Sequence, residues 1–103
     1  MRRASITAAD LRQRLGQPDT SVVLDVRTRA EYDAGHVPGA INIPFTEIGT
    51  RAAEIPSKGR DGLVIYCGHG PRAWIAAVRL RRFGFRRVVL LRGHWAAWKR
   101  SQK

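Results

Sequence analysis

Leu63, Val64, Ile65 and Tyr66 form an unbroken apolar, β-favouring run, bounded by Asp61-Gly62 before it and by Cys67-Gly68-His69-Gly70-Pro71 after it. Four such residues between glycines suit a short strand buried on both faces, as in the middle of a parallel sheet. Pro71 fits the first turn of a helix, because its fixed φ is already helical and its missing N–H would have had no partner there. From Ala73 onward, Trp74, Ile75, Ala77, Val78, Leu80 and Phe83 recur at spacings of three and four and are the expected apolar face of that helix. Gly84 is placed to end it, in a Schellman turn that pairs Leu80 with Phe85. Strand, tight loop and helix make the unit to which the rest of the chain is joined.

The junction carries the only cysteine. A thiol at the carboxyl end of a strand, with a helix starting four residues later, faces that helix's unpaired N–H groups and positive dipole end. Such surroundings lower a thiol pKa from about 8.5 towards or below neutrality, which populates the thiolate. Gly68 and Gly70 allow the loop to curl and turn its amides inward, forming a nest for an anion or a charged sulfur. Cys67 is thus the candidate nucleophile, against the alternative of an inert buried cysteine.

Earlier in the chain, Thr7 reads as a helix cap with Asp10 in the first turn, Ile6 stapled to Leu11, Leu15 on the same face and Gly16 as the stop. Gln17-Pro18-Asp19-Thr20 reads as a turn and Ser21 to Val26 as a strand, in which Asp25 should be paired or hydrogen-bonded because a carboxylate buried alone is very costly. Thr28-Arg29-Ala30-Glu31 is a capping box opening a short helix that ends near Gly35. Asp25 and Arg27 are expected to tie the strand end to nearby loops and to Glu31, and His36 to bond backbone in a turn. Ile41 to Ile43 fits a strand, Phe45 to Ile55 a helix with Ile48, Ala52 and Ile55 inward, and Pro56 to Gly62 an exposed connection. Arg87 to Leu91 is the last strand and His94 to Lys99 a terminal helix that packs Trp95 and Trp98 on the core. Strands alternating with helices predict an α/β fold, a parallel sheet covered on both faces, with every strand-to-helix loop on one edge.

Three stretches together resemble a single-domain rhodanese: the loop from Cys67 to Arg72, Leu24-Asp25-Val26-Arg27 with Glu31-Tyr32, and the run from Gly35 to Pro44. Gly84-Phe85, Gly93 and Trp98 extend the resemblance over almost the whole chain from Ile6. It implies a three-layer rhodanese-like domain with five parallel strands in the order 1-5-4-2-3. It implies sulfur transfer by double displacement through a Cys67 persulfide, with the amides of Gly68, His69, Gly70, Arg72 and Ala73 stabilising charge on sulfur and the Arg72 side chain clamping an anionic donor. Asp25 and Arg27 match residues that support the active-site loop. Two positions depart from the pattern. Gly68 stands where thiosulfate-using rhodaneses commonly carry arginine, and Gly93-His94 replaces a pair of glycines at the pocket rim. Two readings of His69 stand side by side: a proton donor or donor-orienting group at the mouth, or a loop residue that acts through its backbone.

Length and charge set limits. The 103 residues suffice for one domain spanning 1–103, one cysteine allows no internal disulfide, and His36, His69 and His94 lack metal-ligand spacing, so no metal or other cofactor is expected. No apolar run approaches the roughly 18 to 20 residues of a membrane span, and Met1-Arg2-Arg3 precedes cap signals rather than a signal-peptide core, so a reducing, cytoplasmic setting is expected. Residues 1–57 hold seven arginines and seven acids, whereas 58–103 hold twelve Lys or Arg against Asp61 alone, so the net +11 lies in the half with Cys67. That field favours small anionic sulfur donors. Nucleic acid is a weaker alternative, because the arginines lack the interleaved aromatics and glycines of an RNA-reading motif. Acceptors of the expected kind are cyanide, a small thiol or a protein thiol. Two rival functions remain: a phosphatase or arsenate reductase of the same superfamily, disfavoured by Cys-x4-Arg spacing and Tyr66, and a rhodanese-like module that binds or regulates without turnover.

Overall fold

The computed structural model describes residues 5–17, 21–60 (backbone only at 58 and 60) and 62–102. The turn expected at 17–20 and the charged position Asp61 therefore lie largely outside the described residues. In chain order the elements are β1 (Ser5–Ile6), α1 (Ala8–Leu15), β2 (Val22–Asp25), α2 (Arg29–Ala34), β3 (Ile41–Asn42), α3 (Ile48–Arg51), β4 (Leu63–Tyr66), α4 (Pro71–Arg82), β5 (Val88–Leu91) and α5 (His94–Ser101). The five strands are all parallel, in the order β1-β5-β4-β2-β3, as the rhodanese resemblance implied. β4 is central, with Val64 opposite Val23 and Val89, and all four of its residues are buried.

Alternation along β4 divides the core between two layers. Leu63, Ile65 and Cys67 join a cluster with Ile48, Ala73, Ala76, Ala77, Leu80 and Phe85, the α3/α4 side. Val64 and Tyr66 point the other way, into Ile6, Leu11, Leu91 and Trp98, the α1/α5 side. Each fully buried Leu or Ile stabilises by roughly 1.5–3 kcal/mol.

Local signals set most boundaries. Thr7 caps α1 by accepting from the Asp10 amide at 3.1 Å. Thr28 and Glu31 form the reciprocal capping box of α2. α4 begins at Pro71 and ends in the expected Schellman pattern, with Phe85 N–H donating to the Leu80 carbonyl and Gly84 N–H to that of Arg81, both at 3.2 Å, across a left-handed Gly84.

The structure corrects four expectations. α4 buries Ala73, Ala76, Ala77 and Leu80, while Trp74, Ile75, Val78 and Phe83 are 40–47% exposed. Small alanines fill the inner face of the helix and the bulky residues stand on its shoulders. The stretch from Phe45 to Ile55 is one α-helical turn between two 3-10 turns, although Ile48, Ala52 and Ile55 do point inward. Another 3-10 turn, Ser57–Arg60, interrupts the connection expected to be exposed and buries Gly59. Ile6, expected to begin a helix start and staple onto Leu11, lies with Ser5 in an edge strand on β5.

Candidate active site

Asp25 and Arg27 are buried together at the ends of β2 and β4. The Arg27 guanidinium forks onto both carboxylate oxygens, with Nη2 to Oδ2 at 2.7 Å and Nε at 3.1 Å from each. Its Nη2 also donates to the Gly35 carbonyl at 2.6 Å. The Tyr66 hydroxyl donates to Asp25 Oδ2 at 2.7 Å and accepts from the Val37 amide at 3.0 Å. Burial first, and then the Asp25 charge, push the Tyr66 phenol upward, so it stays a neutral donor. With Arg27 lying over the Trp95 ring at 4.7 Å, one paired charge cluster links β2, β4, α2 and α5 immediately before Cys67. A buried pair of this kind is costly to break by removing one partner, by about 3–5 kcal/mol.

The expected bond from this cluster to Glu31 is not formed. Glu31 instead accepts from Arg72, with Nη1 to Oε1 at 2.6 Å and Nη2 to Oε2 at 3.1 Å. The Arg72 hydrogen bonds, outweighing partial burial, hold the Glu31 carboxyl down at about 2. The clamp expected for a donor is thus joined to a carboxylate in the present arrangement, and it closes over Gly68, where an added Cβ would stand 3.1 Å from Arg72 Nη2.

Cys67 is fully buried, on the α4 side of the sheet. Its sulfur accepts from the Gly70 amide at 2.9 Å, and the Ala73 amide also points to it. Gly70 adopts φ 136°, a left-handed value that favours glycine, and caps α4 with its carbonyl bonded to the Trp74 amide at 3.0 Å. Pro71 supplies no N–H, so the first free amides of α4 are those of Arg72 and Ala73. His69 is exposed at the rim, and Gly68 is half-buried beside the sulfur. Of the residues named from the sequence, the structure brings Gly70 and Ala73 to the sulfur, sets Gly68, His69 and Arg72 around the mouth, and places Asp25 and Arg27 behind it. His36 bonds the Tyr32 carbonyl through Nδ1 at 2.8 Å and stacks on that tyrosine, a turn residue as expected.

His94 is the neighbour that the sequence did not assign to Cys67. Its Nδ1 lies 3.2 Å from the Cys67 amide nitrogen and 3.9 Å from the sulfur. The Trp95 amide donates to the Cys67 carbonyl at 2.9 Å, so the first turn of α5 grips the Cys67 backbone on both sides. Burial pushes the Cys67 thiol up; His94 and the amides of Ala73 and Gly70 more than offset it, and bring the thiol down to about 7. The signal in the sequence was Gly93-His94 standing in place of a pair of glycines; in the structure His94 takes φ 54°, a left-handed value. Among the described residues no group of histidine, cysteine and carboxylates could hold a metal, and no helix is long and apolar enough to cross a membrane.

Known proteins similar to this chain include sulfur-transfer proteins and a regulator. The chain is 41% identical over 95 residues to a sulfurtransferase of Allochromatium vinosum, an overlap of 92% of this chain and 87% of that protein. It is 40% identical over 97 residues to the HTH-type transcriptional regulator Rv0324 of Mycobacterium tuberculosis, but spans only 41% of that longer protein. The human single-domain sulfurtransferase TSTD1 superposes with a TM-score of 0.81 at 26% identity, covering 96% of this chain and 97% of its own. The Rhodanese-like domain family matches residues 7–101, and this chain belongs to that family.

Proposed function

We propose that this chain is a sulfurtransferase that moves a sulfane sulfur from a small anionic donor such as thiosulfate to a thiophilic acceptor, through a persulfide on Cys67. The observation that carries the reading is a cysteine whose sulfur accepts a hydrogen bond from the Gly70 amide at 2.9 Å, in surroundings that bring its thiol down to about 7. A thiolate present at neutral pH is the species that attacks sulfur. In the first step a bond forms from Sγ to the outer sulfur of thiosulfate, the old sulfur–sulfur bond breaks, and sulfite leaves with its electron pair. In the second, the acceptor attacks that outer sulfur and Cys67 departs as thiolate. The Gly70 and Ala73 amides stabilise the charge on Sγ before attack, and those of Gly68, His69 and Arg72 are left to receive the added sulfur. Because the sulfur is buried, the donor enters at the mouth formed by Gly68, His69 and Gly70. Cyanide, a small thiol and a protein thiol are the acceptors proposed, and the reducing cytoplasm suits the free thiol.

The test is intact mass under non-reducing conditions after brief incubation with thiosulfate. Wild type is expected to gain one sulfur atom that dithiothreitol or cyanide removes, and Cys67→Ser to gain none. The likeness to a transcriptional regulator favours a second reading, a module that binds or regulates a partner without turnover. No sulfur gained from thiosulfate, mercaptopyruvate or a persulfide donor would select that reading instead.

A further inference from the structure

His94 sits in a conformation that needs a reason. It is the only described non-glycine residue with positive φ, at 54°, and it follows Gly93 at φ 74°. A left-handed non-glycine residue costs roughly 1–2 kcal/mol. That backbone places the imidazole, 8% exposed, against the Cys67 loop. The ring fills the space where a side chain at Gly70 would lie, with Nε2 3.4 Å from an added Cβ. Strain located at a reactive residue is a pointer to function.

Nδ1 has one in-plane lone pair and two neighbours that compete for it. Unprotonated, it accepts from the Cys67 amide at 3.2 Å; protonated, it must release that amide and can turn its N–H to the sulfur, 3.9 Å away. We propose that His94 and Cys67 form an acid–base pair, in which the thiol proton passes to His94 Nδ1 and the imidazolium then faces the thiolate across the loop. The transfer breaks the Sγ–H bond, leaves its electron pair on sulfur and forms Nδ1–H, so the pair keeps zero net charge. This rests on the reading of Cys67 as the sulfur carrier. It supplies what that reading lacks, because Gly68 occupies the place of the usual arginine and Arg72, whose charge reaches Cys67, is joined to Glu31. When the donor's sulfur is taken up, the imidazolium balances the negative persulfide.

The other charged or titratable groups around the loop are Arg72 with Glu31 from α4 and α2, Arg27 with Asp25 after β2, Tyr66 on β4, and His69 in the loop itself. Both arginines and Tyr66 are shifted upward and Glu31 is held at about 2, so these four do not change charge near neutrality. Asp25 pairs with Arg27, Nη2 to Oδ2 at 2.7 Å, both side chains buried.

The test uses the single cysteine, whose ionisation can be followed by the ultraviolet difference spectrum against Cys67→Ser and by the rate of alkylation with iodoacetamide. His94→Asn keeps an oxygen acceptor for the Cys67 amide and tolerates the left-handed backbone, but takes up no proton; His94→Gly tolerates the backbone and removes the ring. Wild-type thiolate is expected to appear with a midpoint near 7. In both variants the midpoint should rise by a unit or more towards the ordinary thiol value, with alkylation at pH 7 falling about fivefold or more. Unmoved midpoints in folded His94→Asn and His94→Gly would overturn the pair, as would a shift produced by His69→Asn and not by His94→Asn. Neither readout needs a sulfur donor. A wild type that gains no sulfur yet shows the shifted midpoint would overturn the sulfur-transfer reading alone.

Discussion

Single side chains in this site do separable jobs, and two substitutions distinguish them. The Tyr66 hydroxyl satisfies both Asp25 and the buried Val37 amide. Tyr66→Phe leaves that amide without its acceptor, so unfolding free energy should fall by about 1–3 kcal/mol, seen as a lower urea midpoint at unchanged slope. Sulfur uptake should survive, because none of the bonds made by Cys67 involves the phenol. Glu31 acts at the surface of the mouth. Its carboxyl is held by Arg72 at about 2, below the roughly 4.3 of an unfolded chain, so the bridge contributes fully above the unfolded value and is lost as pH falls through about 2. Since the Glu31 side chain is 39% exposed, screening leaves the contribution at about 1 kcal/mol rather than the larger figure the shift alone would give. Glu31→Gln, which preserves an acceptor for the Thr28 cap, should therefore be less stable than wild type at neutral pH and converge with it between about pH 4 and pH 2. A difference that stayed constant over that range would place the effect in the cap and not in the charge.

At the level of elements, the helix after the cysteine loop shows how far a pattern of apolar residues can be followed. Ala73, Ala76, Ala77 and Leu80 lie at spacings of three, four and seven and are buried, whereas Ile75 and Val78 are each 47% exposed. Ala77→Leu should overpack the α4–sheet contact and cost about 1–3 kcal/mol. Ile75→Gln and Val78→Gln should each change stability by about 0.5 kcal/mol or less. Equal costs on thermal or urea unfolding would restore the bulky residues to the core. The sequence showed the helix through Pro71, Gly84 and its period, because caps and periodicity are local. It did not show which stripe faces the sheet, because alanine adds little apolar signal and close approach is a tertiary fact. β1 was illegible for a related reason: Ser5–Ile6 is a strand only through its pairing with Leu90–Leu91. Cys67 and its loop were legible because the motif is contiguous. His94 was not, since it reaches the cysteine only when α5 docks on the carboxyl end of β4.

Across the whole molecule, the parallel topology brings these separate loops together. Strand order β1-β5-β4-β2-β3 sets β4 between β2 and β5, and parallel pairing throughout delivers all carboxyl ends to one edge. Arg27 and Glu31 follow β2, the sulfur follows β4, and His94 follows β5. The same chain half that supplies Cys67 and His94 carries exposed Arg79, Arg81, Arg82, Arg86, Arg87 and Arg92. Exposed charges of one sign act at the range of the screening length, about 30 Å in 0.01 M salt and about 8 Å in 0.15 M. They should therefore speed the arrival of an anionic donor without altering the cysteine chemistry. The second-order rate of sulfur uptake from thiosulfate is expected to fall several-fold over that salt range, while alkylation by neutral iodoacetamide stays level. The neutral reagent reports the thiolate alone, so the ratio of the two rates isolates attraction from reactivity. If both fell together, salt would be acting on the Cys67 thiolate itself; if neither fell, the arginine-rich half would have no part in bringing an anion to the loop.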